Sequence, residues 1–255
     1  MSNAAAVLQA VVQMSRRLGE PERDLVILGE GNTSGLCDEG TFWVKASGTE
    51  LRTIAEDGFV QMRLGEVAAL ADGADLSDEG IKDALNAARV DPQATRRPSV
   101  ETVLHALTLA ETGAQYVGHT HPVAVNALAC SRAFSEREIG RLFPDEIVVC
   151  GPAPVLVPYT DPGLPLARTV RDAYRRYGDE YGQAPKVVVM QNHGLIALGR
   201  TPQEVDNITA MFVKTCRVLA GTFAFGGPRF LRQEDVERIH TRPDEAYRRQ
   251  QLKIE

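Results

Sequence analysis

The sequence predicts an α/β protein, because segments with the hydrophobic period of a helix alternate with short apolar runs typical of buried strands. The chain has 255 residues and 44% hydrophobic content, which is enough to bury a large core. No internal repeat, low-complexity tract or linker divides it. We therefore predict one domain over residues 1–255, with a charged tail from about residue 228.

In the first 97 residues, turn residues such as Gly19 and Gly40 separate the patterned segments. Apolar residues spaced three and four apart predict helices, and short apolar runs predict strands. In chain order these elements are a helix at 4–18, strands at 25–28 and 42–45, a strand leading into a helix at 60–70, and a short helix at 81–88 within a polar loop.

From residue 99 to 157, capping and turn residues mark the boundaries. Ser99 is the predicted N-cap of a helix that Gly113 stops. In chain order the elements are a helix at 100–112, a strand at 115–119, a helix at 123–131, and strands at 147–149 and 155–157.

The last third contains the most apolar strands of the chain. Thr201 followed by Pro202 has the pattern of an N-cap with proline at the first helical position. In chain order the elements are a helix at 165–177, buried strands at 186–190 and 195–199, and a long helix that ends at about residue 220.

Composition narrows the class of protein. The net charge of −6, from 28 basic and 34 acidic side chains, argues against nucleic-acid binding. The four cysteines are scattered without a Cys-x-x-Cys spacing, which is typical of small core residues in a reducing compartment. With no secretory pattern at the N-terminus and no run of 18 apolar residues, we predict a soluble cytoplasmic protein without a nucleic-acid or membrane partner.

Three of the five histidines occur where two predicted buried strands end: His119, His121 and His193. Residues i and i+2 of a strand point to the same face, so His119 and His121 can direct two imidazoles at one atom. Two surface histidines are the ordinary explanation of a His-x-His pair. Three neutral nitrogen ligands with one open position, however, suit a catalytic zinc.

Glu101 falls in the first turn of the predicted helix at 100–112, and two interpretations of it stay open. A carboxylate there interacts favourably with the helix dipole. A carboxylate beside a metal ion can instead ligate it and act as general base or acid. His105 shares a helical face with Glu101, and we predict a structural hydrogen bond for it.

Two loops of small polar residues, at 29–35 and 45–50, each follow a predicted strand. Glycine lets backbone N–H groups approach an anion closely, and Asn32, Thr33 and Ser34 add side-chain donors. Together with Ser99 at a helix N-terminus, these loops can cradle a phosphate, and two hairpin turns are the alternative. A dinucleotide site is disfavoured, because Ser34 replaces the third glycine of that fingerprint. Lys45 and Arg97 add local positive charge.

Five short motifs share one order along residues 29–200. They are Gly31-Asn32-x-Ser34, Ser47-Gly48-Thr49, Pro98-Ser99-x-Glu101, His119-x-His121 and Asn192-His193-Gly194. As an ordered set they resemble the class II aldolase/adducin family, whose members include aldolases, an epimerase and a dehydratase that act on sugar phosphates.

The resemblance implies a three-layer α/β/α sandwich around a mainly antiparallel sheet, assembled as a homotetramer with sites at subunit interfaces. It implies that His119, His121 and His193 bind zinc or another divalent metal, and that Glu101 is the catalytic acid/base. The residues at the family's phosphate-contacting positions are Asn32, Ser34, Ser47, Gly48 and Ser99.

The function that follows is that of a zinc-dependent aldolase-type lyase, which cleaves a phosphorylated or other anionic ketose through an enediolate. A dehydratase, a decarboxylase or an epimerase with the same chemistry, or a non-catalytic scaffold, is the alternative. Val100 stands where the family has a second serine. The aldolase tyrosine has no clear match, and Tyr159, Tyr247 and Asp145 are candidates to replace it.

Overall fold

A central sheet of seven strands organises the computed structural model, which describes residues 3–132, 134 and 139–252. The spatial order is β3-β2-β1-β4-β7-β6-β5, and every neighbouring pair is antiparallel except β5 with β6. The strands are β1 Asn32–Leu36, β2 Thr41–Lys45, β3 Phe59–Arg63, β4 Tyr116–Thr120, β5 Val155–Val157, β6 Val187–Met190 and β7 Gly194–Gly199.

Helices cover both faces of this sheet. In the described residues they are α1 Asn3–Leu18, α2 Leu64–Ala69, α3 Asp78–Ala87, α4 Thr102–Thr112, α5 Val123–Ala129, α6 Pro144–Cys150, α7 Leu164–Tyr181, α8 Pro202–Thr222, α9 Gln233–Thr241 and α10 Pro243–Leu252. On one face Val188 and Ile196 pack with α2, α3, α4 and α7. On the other face Val189 and Ala197 pack with α5, α6 and α8. The predicted three-layer sandwich around a mainly antiparallel sheet is confirmed, and the parallel β5–β6 pair makes the sheet mixed.

Glycines in the central strands let the helices α1 and α8 lie close to the sheet. A Cβ at Gly35 would come within 2.6 Å of the Val11 side chain, and one at Gly118 within 2.7 Å of Val205. Both distances are shorter than carbon–carbon contact allows. Strands β1 and β4, of which β4 carries His119, are therefore packed directly against the helical layer.

Two predicted strands are wrong. Residues 25–28 do not form a strand, since Asp24 and Leu28 have left-handed backbone angles, with φ of 57° and 51°. Residues 147–149 belong to helix α6, which begins with Pro144 and has Asp145 and Glu146 in its first turn. A short buried run of Ile-Val-Val fits a strand or a fully buried helix equally well, and the proline and acidic residues favour the helix.

The long apolar helix α8 belongs to the core. In the described part of the chain, the span Pro202–Phe225 alone has the length and composition of a membrane-crossing helix. Its buried face carries Asp206, paired with Arg17 at 2.7 Å and with Arg23, and Glu204, paired with Lys186 at 2.8 Å. Buried acidic side chains held by basic partners from other parts of the chain fit a helix packed inside the protein.

The charged tail folds back onto the same chain as two helices. Val236 of α9 is buried, and α9 packs against α6. Arg248 of α10 forms an ion pair of 2.7 Å with Asp145 at the start of α6. The tail is therefore helical and anchored, which the charge pattern alone did not reveal.

Arg141 forms a fully buried ion pair with Glu146, which lies in the first turn of α6. The Arg141 guanidinium donates to Glu146 Oε1 at 2.6 Å and to the carbonyls of Pro152 and Cys150. Glu146 Oε2 accepts the Leu142 backbone N–H at 3.0 Å. Every polar atom of the pair is thus engaged, which offsets the cost of burying two charges.

We expect Glu146→Ala to lower the free energy of unfolding by about 3–5 kcal/mol, because it leaves the Arg141 charge buried and unpaired. Denaturant unfolding measures this. As the control, Glu234→Ala removes an exposed partner of Arg232 and should cost less than about 1 kcal/mol. The double variant Arg141→Met/Glu146→Leu should be more stable than Glu146→Ala; an equal or larger loss would contradict this account of the pair.

Candidate metal and substrate site

The structure brings His119, His121 and His193 together at one end of the sheet. One ligand atom from each lies within 4.8 Å of the others, and the ring centroids are 4.8–5.2 Å apart. His119 lies in β4, and His121 follows two residues later. His193 lies in the tight turn between β6 and β7, where Asn192 has a left-handed φ of 54°. Asparagine tolerates this conformation well.

Backbone and side-chain contacts orient two of the rings. His119 Nδ1 lies 2.9 Å from the Leu195 carbonyl on the neighbouring strand, so its Nε2 faces the cluster. The Nε2 atoms of His119 and His121 are 3.0 Å apart. The Nδ1 of His121 lies 3.8 Å from Glu30 Oε1. Holding the outer nitrogen of an imidazole is the usual way in which proteins direct its other nitrogen at a metal.

His119 and His121 are neutral at physiological pH. Burial lowers the pKa of His119 and of His121 to about 4, because the imidazolium form loses its solvation. A neutral imidazole has a free lone pair for a metal ion.

Glu101 completes the cluster. Its Oε1 lies 3.1 Å from His193 Nε2 and 3.6 Å from His119 Nε2. Its Oε2 accepts a hydrogen bond of 2.6 Å from the Asn32 amide. Burial acts to raise the pKa of Glu101, but His119, His193 and the Asn32 hydrogen bond outweigh burial and hold it well below its usual range. The group is therefore a carboxylate at neutral pH.

The backbone at Glu101 differs from the predicted cap. Helix α4 begins at Thr102 with Glu101 in the N-cap position, and Glu101 makes no side-chain capping bond. Ser99 does not cap the helix with its side chain, since its buried Oγ has no hydrogen-bond partner. The Glu101 side chain is used for the histidines instead of the helix end. The predicted stop at Gly113 is confirmed, with φ of 72°.

A buried network of three side chains fixes the Asn32 amide. Asn32 Oδ1 makes a short hydrogen bond with His105 Nε2, and Ser34 Oγ lies 2.7 Å from His105 Nδ1. With the carbonyl oxygen of Asn32 on His105, its NH₂ group must face Glu101. The predicted hydrogen-bonding role of His105 agrees with these contacts.

The residues predicted to contact phosphate fall into two groups. Asn32, Thr33 and Ser34 are buried and bonded within the protein, Thr33 through Ser15 Oγ at 2.6 Å. Ser47 and Gly48 are exposed, and Ser99 is partly buried. The role of all six stays a prediction, but the second group has more hydrogen-bonding capacity left for a ligand.

Two glycines touch the strand that carries the histidine pair. A Cβ at Gly194 would lie 2.6 Å from the Thr120 carbonyl and 2.7 Å from the His121 ring. Gly31, with φ of 67°, would place a Cβ 2.6 Å from the His119 carbonyl. Neither position accommodates a side chain.

Of the candidates for the missing tyrosine, Tyr159 is bonded to Gln191, two residues before His193. Its backbone N–H donates to Gln191 Oε1 at 3.0 Å, and its exposed hydroxyl bonds Asp161. Asp145 is engaged by Arg248. Sequence reasoning missed Glu30, whose approach to His121 depends on the turn at residues 27–30. Its place within the glycine-rich motif was the available signal.

Comparison with known proteins identifies one family. Residues 9–220 match the model of the family described as class II aldolase and adducin N-terminal domain. The chain is 27% identical to the structure of the N-terminal class II aldolase domain of a conserved protein from Thermoplasma acidophilum, covering 84% of this chain and 93% of that one, with a TM-score of 0.67. An L-fuculose 1-phosphate aldolase structure is 20% identical, with 92% and 95% coverage and a TM-score of 0.70, and shows likeness of fold.

A curated relative is much longer than this chain. It is named uncharacterized oxidoreductase YuxG, from Bacillus subtilis strain 168, and is 29% identical over 204 residues. The match covers 77% of this chain and 27% of the relative, so the chain spans about a quarter of that protein's length.

We expect Gly194→Ala to weaken zinc binding about 10- to 100-fold, the range seen when the orientation of metal ligands is disturbed. The added Cβ would push against the Thr120 carbonyl and the His121 ring. Competition titration with a zinc chelator measures the affinity. Gly178→Ala is the matched control, since nothing lies within 4 Å of its added Cβ. Equal zinc affinity in the two variants would contradict the predicted contact.

Proposed function

The chain belongs to the class II aldolase and adducin family, and we propose that it is a zinc-dependent lyase that cleaves a phosphorylated or otherwise anionic ketose. The observation that carries the proposal is the Glu101 carboxylate, held by Asn32 and directed at three converging histidines. A carboxylate whose pKa is strongly shifted by a cluster of metal-ligating side chains is typical of a functional site.

The donor set fits a catalytic zinc ion. Three imidazoles supply the usual three protein ligands and leave a position for substrate, and those of His119 and His121 are neutral. Another divalent metal would also fit three nitrogen donors. When bound, the ion acts as a Lewis acid on a substrate carbonyl and its neighbouring hydroxyl oxygen.

Glu101 is proposed to accept a proton from the substrate and to return it after the bond is cleaved. Its Oε1 faces the histidines, where the substrate is proposed to bind, and its Oε2 is anchored to Asn32, which fixes the geometry. As a carboxylate it can accept a proton from the hydroxyl group at the bond to be cleaved. The carbon–carbon bond then breaks, an aldehyde leaves, and Glu101 returns the proton to the remaining enediolate.

Other reactions start from the same proton transfer. A dehydratase, a decarboxylase or an epimerase would use Glu101 and the histidines with a different bond broken. By resemblance to members of the class II aldolase/adducin family, glutamate at position 101 favours an aldolase or a dehydratase over an epimerase. A non-catalytic, adducin-like scaffold is the contrasting proposal.

The assembly is proposed to be a homotetramer of one-domain chains in the cytoplasm, with sites at the subunit interfaces. The support is a set of exposed apolar side chains. Four are close in sequence to Glu30, Glu101 or His121, and the fifth belongs to a residue whose N–H bonds Gln191, before the His193 turn. They are Ile27, Leu28, Val100, Val123 and Tyr159. Exposed apolar groups that border a site are typical of protein contact surfaces.

His119→Ala and Glu101→Gln separate metal binding from proton transfer. We expect His119→Ala to lose stoichiometric zinc, because one of three ligands is gone. Glu101→Gln should keep zinc and lower turnover about 10²- to 10⁴-fold, the usual contribution of a general acid or base. Metal analysis and a turnover assay measure the two effects, with the exposed Glu79→Gln as control. Full activity of Glu101→Gln would refute its assigned role.

The reaction itself is tested by a screen of sugar phosphates and sugar acids with the zinc-loaded protein. We expect aldehyde release from at least one ketose phosphate or ketose acid, since cleavage frees an aldehyde. Aldehyde release and dehydration are measured separately, so each chemistry has its own signal. A purified wild-type protein that folds without metal and turns over no substrate would favour the scaffold.

A further inference from the structure

We propose that Glu30 is the positioning residue of His121, and that its carboxylate accepts the Nδ1 proton of this ring when Nε2 coordinates the metal ion. The inference rests on the proposed function, because it concerns the same metal site. It gives a role to a carboxylate beside the histidines that the proposed reaction does not use.

Glu30 lies in a turn that its own hydrogen bonds hold. The Glu30 N–H donates to the Ile27 carbonyl at 3.1 Å, and the Ile27 N–H donates to Glu30 Oε2 at 3.0 Å. The Gly29 carbonyl accepts a hydrogen bond of 3.1 Å from Lys45 Nζ. One carboxylate oxygen of Glu30 thus belongs to the turn, and Oε1 remains for another partner.

The same loop is attached to the segment that carries the histidine pair. The His121 N–H donates to the Leu25 carbonyl at 2.9 Å. A Cβ at Gly31, next to Glu30, would lie 2.6 Å from the His119 carbonyl, so the loop and the strand are in close contact. These backbone contacts set the position of Glu30 Oε1, which lies 3.8 Å from His121 Nδ1.

The contacts of the two rings fix where their protons lie. A carbonyl oxygen only accepts, so His119 Nδ1 donates to the Leu195 carbonyl at 2.9 Å, and the Nε2 of this neutral ring has a lone pair. His121 Nε2, 3.0 Å from it, is then the donor of that contact. The Nδ1 of His121 therefore has no proton. A bare nitrogen and a carboxylate are both acceptors, which agrees with their separation of 3.8 Å.

Metal coordination requires the other tautomer of His121. Nε2 can give its lone pair to an ion only after its proton has left, and the neutral ring then carries its proton on Nδ1. In that state an N–H group faces Glu30 Oε1, and a shift of about 1 Å brings the two atoms to hydrogen-bond distance. Glu30 therefore stabilises the metal-binding tautomer and gives no such hydrogen bond to the metal-free one.

The charge of Glu30 distinguishes it from the acceptor that orients His119. His119 donates to a neutral carbonyl, whereas the metal-binding tautomer of His121 donates to a carboxylate. Hydrogen bonds to an ionised acceptor are roughly twice as strong as neutral ones, and a carboxylate partner raises the basicity of an imidazole ligand. Removal of this charge should therefore weaken metal binding even where the turn stays intact.

The competing explanation is that Glu30 serves the turn alone, through the Ile27 N–H. Glu30→Gln separates the two explanations. The amide oxygen of glutamine can still accept the Ile27 N–H, and its NH₂ group then faces His121 Nδ1. Because two donors cannot bond to each other, this substitution keeps the turn and disfavours the metal-binding tautomer.

The test compares the zinc affinities of wild type, Glu30→Gln and Glu30→Asp, with the exposed Glu79→Gln as control. Competition titration with a zinc chelator is the measurement. We expect Glu30→Gln to bind zinc about 10- to 100-fold more weakly than wild type. Glu79→Gln should match wild type, and Glu30→Asp, which keeps the charge on a shorter side chain, should lie between. Equal zinc affinity in wild type and Glu30→Gln would overturn the proposal.

Nitrogen-15 NMR of the histidine rings gives a readout that is independent of activity, with His121→Asn to assign the His121 signals. In wild type we expect the His121 proton on Nε2 without zinc and on Nδ1 with zinc. In zinc-loaded Glu30→Gln the Nδ1 proton should exchange faster with water, because no carboxylate holds it. An equal exchange rate in the two zinc-loaded proteins, or an Nδ1 proton in zinc-free wild type, would overturn the proposal.

Denaturant unfolding of the zinc-free proteins tests the turn itself. Wild type and Glu30→Gln should have equal midpoints, since the turn keeps its bond to Ile27; where they differ, the exchange rate of the Nδ1 proton decides between the two explanations. Zinc binding that depends on Glu30 in a protein without lyase activity would refute the proposed reaction and leave this inference intact. Wild type that binds no zinc would refute both.

Discussion

The antiparallel register of β1, β4 and β7 is the constraint on which the site depends. Asn32 of β1 lies opposite His119 of β4, and His119 lies opposite Ile196 of β7. One ladder of hydrogen bonds therefore places both the amide that holds Glu101 and the most buried histidine. A shift of one residue would turn either side chain to the opposite face of the sheet.

The polar groups around that ladder are arranged before any ligand arrives. His105 and Ser34 fix the Asn32 amide, and the amide fixes one oxygen of Glu101. The Leu195 carbonyl fixes His119. Such preorganisation lets a site stabilise charge without rearranging its dipoles during the reaction. It also explains why several buried polar side chains are tolerated at the edge of two apolar cores.

Sequence reasoning predicted the parts that depend on strong local patterns. The apolar runs of β6 and β7, the Thr201 cap and the ordered motifs that bring His119, His193 and Glu101 together all have clear signals. It failed at β1, whose residues Asn32–Leu36 are mostly small or polar yet are buried, because two strands flank them and helix α1 packs against them. It failed at 147–149 because periodicity in a short apolar run does not separate helix from strand.

Residues close to the site differ in how tightly they are packed. Gly31 and Gly194 lie against the backbone of the histidine pair, and other residues nearby are exposed. A side chain at either glycine would collide with the backbone of the histidine pair, so the geometry excludes residues larger than glycine there. Val100 and Tyr159 are 47% and 57% exposed in the single chain, so the packing of its own core does not hold either side chain. Substitutions at such exposed positions can therefore alter what the chain contacts without moving the histidines. A chain built in this way is suited to divergence in what it recognises rather than in how it reacts.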